Sequence, residues 1–134
     1  MKIAVIHFNL TTESGDPRMA LLISRGLKKL GHTTVVYCAE FDAKACFPRL
    51  NNGLDIRIVP FVASLSSSRG ATGVLRKVFE RITQIKVYND LVKRMAKEID
   101  KDLDFIICQN DYSYKIGLVY KKIKPDTKVV WIMN

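Results

Sequence analysis

Two short polar runs hold the side chains of this sequence best suited to chemistry. The first follows the apolar run 2–8 and contains Asn9, Thr11, Thr12, Ser14, Gly15 and Asp16. The second closes another apolar run and reads Gln109-Asn110-Asp111. Amides and hydroxyls hydrogen-bond sugar hydroxyls or phosphate oxygens, and a carboxylate can exchange a proton with a hydroxyl. Asp111 is the acid/base candidate. Asn9, Ser14, Gly15, Asp16, Gln109 and Asn110 are candidate binding positions, and Arg18 would add positive charge if it points the same way. Each has a structural alternative: Asp16 and Asp111 suit helix N-caps, as does Ser113, and Arg18 suits a solvated face. An aspartate at a helix N-terminus is negative where a phosphate would sit, so Asp16 disfavours tight phosphate binding there.

Other chemistries find little support. Glu13-Ser14-Gly15-Asp16-Pro17-Arg18 stands where a dinucleotide fingerprint would need its glycines, and there is no Walker sequence. Of the two histidines, His7 lies within an apolar strand and reads as a packed, hydrogen-bonded residue, while His32 follows a helix stop. A histidine relay or a zinc site is therefore not expected. Cys38, Cys46 and Cys108 are odd in number and widely spaced, which reads as reduced thiols. No metal or cofactor is expected.

The two polar runs meet only if the elements carrying them are neighbours. Apolar periodicity and turn residues predict strands at 2–8, 33–38, 54–59, 104–109 and 127–133, and helices at 17–30, about 72–101 and 113–123. Near-continuous apolar strands joined by crossover helices imply an α/β fold: a doubly wound, Rossmann-like parallel sheet of order 3-2-1-4-5 with helices on both faces. Its order reverses between the first and fourth strands, so the loops at 9–16 and 109–112 should flank one crevice. In the first helix Asp16 is expected as cap, Pro17 as first residue and Gly31 as left-handed stop, with Met19, Leu22, Ile23, Leu27 and Leu30 buried. The connection 38–53 carries Phe41, Phe47 and Pro48, either as a functional loop or as aromatics tucked onto the sheet. The serine-rich 62–73 reads as a flexible connector. In the long helical region Leu75, Val78, Ile82, Ile85, Val92, Met95 and Ile99 form a core stripe among Arg76, Lys77, Arg81, Lys86, Lys93, Arg94 and Lys97. That pattern is a packed helix with a solvated basic face, which can also touch anionic headgroups.

At 134 residues, 48% hydrophobic and 26% charged, the composition is that of one soluble globular domain. Neither a spanning stretch nor a signal peptide is legible, so a cytoplasmic chain is expected, peripheral at most at the inner face of a membrane. The net charge of +9 favours phosphate-rich partners. Nucleic acid is not among those expected. The chain ends on an apolar strand, which reads as the first half of a larger protein.

The run 2–8, Gly15, the pattern of the first helix, and Leu27-Lys28-Lys29-Leu30-Gly31-His32-Thr33-Thr34-Val35-Val36 together resemble the N-terminal domain of retaining, GT-B-fold glycosyltransferases of family 4. Asp104-Phe105-Ile106-Ile107-Cys108-Gln109-Asn110-Asp111 is similar to that family's fourth strand. The resemblance covers the whole chain and implies an acceptor-binding half, with Ser14 and Gly15 facing donor phosphate and acceptor. It implies a nucleotide-sugar donor, a saccharide or lipid-linked acceptor, and a C-terminal domain without which transfer does not occur. The chain departs from the pattern where Ser14 and Asp16 flank a single glycine, and where Asn110 replaces a common histidine. The other reading is a stand-alone, non-catalytic Rossmann-like binding or regulatory module.

Overall fold

The computed structural model describes residues 1–60, 74–109 and 112–133, with residues 74–83 described as helix backbone. The elements are β1 (Lys2–Ile6), β2 (Asn9–Leu10), α1 (Gly15–Lys29), β3 (Thr33–Cys38), β4 (Glu40–Phe41), α2 (Pro48–Asn51), β5 (Asp55–Ile58), α3 (Val74–Glu98), β6 (Phe105–Gln109), α4 (Ser113–Ile123) and β7 (Lys128–Ile132). The architecture is α/β, Rossmann-like: a parallel sheet in the order β5-β3-β1-β6-β7, flanked by helices. Two short strands, β2 and β4, were not expected, so the order counted over every strand is not the expected 3-2-1-4-5.

These extra strands arise from a break in a longer ladder. The first strand does not run through to Phe8. At Phe8 one carbonyl accepts from both Ala39 N (2.9 Å) and Glu40 N (3.3 Å). The parallel pairing then resumes in unchanged register, since Ile6 faces Tyr37 and Asn9 faces Glu40.

Side chains alternate across the sheet. Ala4, Ile6, Val35, Tyr37, Ile106 and Cys108 pack toward α3 and α4, joined by Val92, Met95, Ile99 and Tyr120. Val5, Val36 and Cys38 pack toward α1 with Ala20, Leu21 and Cys46. The centre of the sheet is thus buried on both faces, which is why its strands are apolar throughout.

Helix α1 begins two residues earlier than expected. Ser14, not Asp16, occupies the N-cap position, and its side chain makes no capping bond. Pro17 is the third helical residue, tolerated because a helix's first amides lack intrahelical partners. The buried stripe also shifts: Pro17, Ala20, Leu21 and Ser24 face the sheet. Ile23 and Leu27 are only partly buried, and Met19, Leu22 and Leu30 are exposed. Small residues at 20 and 24 let the helix lie close to the strands, which apolarity alone did not reveal. The expected stop is present. Gly31 has φ +84°, His32 N donates to Leu27 O (3.1 Å) and Gly31 N to Lys28 O (3.0 Å), forming a Schellman motif.

Elsewhere Phe41 and Phe47 pack against the α1-side core, and the 38–53 connection carries β4 and α2. In α3 Val92 and Met95 are buried as expected, as is Ile99 just past its end, but Ile85 is exposed. Leu75, Val78 and Ile82 lie outside the described side chains. The last strand is an edge: Val130 and Trp131 remain exposed.

Candidate functional site

The chain leaves β5 at one edge of the sheet, passes through α3 and returns beside β1 as β6. Helix α1 lies on one face at this boundary, and α3 and α4 lie on the other. The crevice at the carboxyl ends of β1 and β6 is therefore the topological switch point, where open parallel sheets take ligands. Two polar side chains end these strands. His7 directly follows β1 and Gln109 closes β6, one step beyond the registered pair Ile6 and Cys108.

Both are buried, and among the described residues each has one polar atom without a partner. The Nδ1 atom of His7 accepts from Asn9 N at 3.3 Å, which leaves the proton of the neutral ring on Nε2. That N–H donor has no partner. Gln109 Nε2 donates to Asp16 O at 3.1 Å, tethering β6 to the first turn of α1, while its Oε1 acceptor has no partner. One is a donor and the other an acceptor, and a water or a ligand hydroxyl can pair with either. Unpaired buried polar atoms are otherwise costly and uncommon. Burial holds the His7 pKa below its ordinary value, with the Asp16 carboxylate opposing the shift.

Above them, the first turn of α1 is accessible. Ser14, Gly15 and Asp16 are exposed, and nothing lies within 4 Å of where a side chain on Gly15 would begin. The structure therefore brings Ser14, Gly15, Asp16 and Gln109 together, with His7 added. His7 is packed and hydrogen-bonded, as its place in an apolar strand predicts, but it was not among the expected site residues. The signal that could have found it is its place as the polar last residue of an apolar run at the switch point.

The other expected positions fare differently. Asn9 is committed to its own loop: Oδ1 accepts from Thr11 N (3.0 Å) and Nδ2 donates to Glu40 Oε2 (3.0 Å), so it shapes the crevice wall. Arg18 turns toward α2, where with Glu13, Phe47, Pro48, Arg49 and Leu50 it lines a cavity of about 460 Å³. Phe47 there has φ 45°, left-handed for a non-glycine residue. Asn110 and Asp111 lie outside the described residues.

Two further clusters are structural. At the amino edge, Lys2 pairs with Asp100 (2.8 Å) and Asp102 (2.7 Å), and Arg57 with Asp55 and Asp100 (both 2.9 Å). The adjoining cavity of about 670 Å³ is lined in part by Asp102 and Asp104, both engaged with Lys2. The three cysteines are free and buried, and burial pushes the Cys38 and Cys108 thiols up to about 12, far from a reactive thiolate. Among the described residues no group of His, Cys, Asp or Glu could hold a metal ion, and no helix is long and apolar enough to cross a membrane.

No protein-family model matches the chain, and no curated protein matches it. Among solved structures it is similar to the C-terminal domain of PF1911 hydrogenase from Pyrococcus furiosus, at 12% identity and a TM-score of 0.48, over 99% of this chain and 89% of that one.

Proposed function

We propose that the crevice between β1 and β6 binds a hydroxyl-bearing ligand, and that the chain is the acceptor-binding half of a glycosyltransferase. The observation that supports this best is the unpartnered donor and acceptor of His7 and Gln109 beneath the open first turn of α1. They stand at the ends of neighbouring strands, and each can pair with a hydroxyl. The exposed α1 turn suits the oxygens of a sugar or of a nucleotide-sugar donor bridging from a second domain. In this reading Ser14, Gly15 and the Gln109 carbonyl receive the ligand, the Gln109 amide also holds the Asp16 turn in place, and Asp111 supplies the carboxylate that deprotonates the acceptor hydroxyl. The donor is held by the second domain, so the isolated chain binds acceptor weakly and transfers nothing.

Gly15→Leu tests the site. An added Cβ at Gly15 meets nothing within 4 Å among the described residues, and Gly15 is not in the left-handed region, so stability should change by less than about 1 kcal/mol. Saturation-transfer NMR with alkyl glycosides and with a nucleotide sugar should detect ligand contact in the parent chain and lose it in the variant. Equal signals from both proteins would place binding elsewhere. Turnover by the isolated chain would contradict the two-domain reading.

A further inference from the structure

The face of the molecule away from α1 carries a second feature. Helices α3 and α4 lie side by side there and enclose a groove of about 420 Å³. Its floor is apolar: Val92, Val119 and Leu118, the last 57% exposed. Its rim carries Lys93, Lys115 and Lys122, and among the described residues no carboxylate lines it. Lys115 Nζ lies 5.3 Å from the centre of the Tyr88 ring, which steadies it at the end of the groove nearer the crevice. Along the rest of the helix Lys86, Arg94 and Lys97 stand with Asp90 and Glu98, leaving α3 positive on balance, and Ile85 stands exposed on the same helix.

We propose that this groove seats the phosphate headgroup of an anionic phospholipid, docking the α3–α4 face on a membrane surface. Three ammonium groups around an apolar floor complement an anionic head that carries an apolar body. An acidic soluble ligand would need the rim but not the exposed leucine. The lysines reach the headgroup while their stems cover the apolar floor. A bilayer held here lies along the face of the sheet opposite α1. The inference concerns binding alone and holds whether or not that crevice receives a sugar acceptor.

Flotation with phosphatidylcholine vesicles, with and without phosphatidylglycerol, tests it on the whole chain. Binding is expected only with phosphatidylglycerol, and it should weaken with salt. The combined Lys93→Gln, Lys115→Gln and Lys122→Gln variant should bind about a hundredfold more weakly, since each lysine near such a surface contributes about fivefold. Leu118→Ser should weaken binding without changing charge. A charge-matched control, Lys29→Gln with Lys44→Gln and Arg49→Gln, should keep most of the binding. Melting curves establish that each variant is folded. Equal loss in the control would reduce the effect to net charge and overturn the assignment. Equal binding to neutral vesicles, or to none, would do the same. Full competition by inorganic phosphate would assign the rim to a free anion instead of a lipid.

Discussion

At the scale of single residues, His7 and Gln109 are where this fold accepts a local cost. Burial disfavours the charged form of His7, so its pKa is lower folded than unfolded. Below the ordinary value of 6.5 the unfolded chain therefore binds more protons than the folded one, and stability falls as pH drops through that window. His7→Gln should remove this part of the pH dependence, leaving the slope that the paired carboxylates produce at lower pH. Denaturant melts across a pH series read it directly, and an unchanged slope would show that His7 does not titrate in this way. Gln109→Leu removes an unpaired acceptor along with one hydrogen bond, and these effects nearly offset. Stability should move by no more than about 1 kcal/mol, while glycoside contact at the crevice is lost. A loss several times larger would make Gln109 chiefly a tether for α1.

At the scale of elements, close approach decides the packing. Helix α4 lies on β6 and β7 at Gly117, where an added Cβ would come 2.7 Å from both Cys108 Sγ and Val129 Cγ1. Cys108 is fully buried in β6, and Val129, half-buried on the edge strand β7, packs against the same core. Gly117→Ala gains up to about 1 kcal/mol of helix propensity but overpacks a site that cannot yield, at about 1–3 kcal/mol. Net destabilisation by chemical denaturation is expected, and a neutral result would mean that α4 slides on the sheet. The same logic explains α1, where Ala20 and Ser24 face the strands and the larger Met19 and Leu22 do not. Ser24 is accommodated because its hydroxyl donates to Ala20 O at 2.8 Å.

At the scale of the whole molecule, order should fall from the centre of the sheet to its edges. Strands β1 and β3 are buried nearly throughout, whereas β5 and β7 are mostly exposed or half-buried. Amide hydrogen exchange should be slowest in β1 and β3 and fastest in β5 and β7. Protection of β7 equal to that of β1 would indicate that another surface covers this edge in solution. The two faces also divide the chemistry: the α1 side carries the open helix turn and the polar pair, and the α3–α4 side carries the basic groove.

The sequence by itself determined the alternation of strands and helices, the parallel sheet, the α1 stop at Gly31 and the pairing of the first strand with the one ending at Gln109. These follow from periodicity and turn chemistry, which are local. It did not determine which face of α1 is buried, because Ala20 and Ser24 are selected by the distance to the sheet, a tertiary quantity. Nor did it reveal β2 and β4, which exist only because the β1–β3 ladder resumes after its break at Phe8. Thr11 and Glu40, the partners of Asn9, came only with the fold, and so did the one His7 nitrogen, Nε2, that its packing leaves without a partner among the described residues. Residue type shows what a side chain can bond to; only the fold decides which of those bonds are made and which remain open to a ligand.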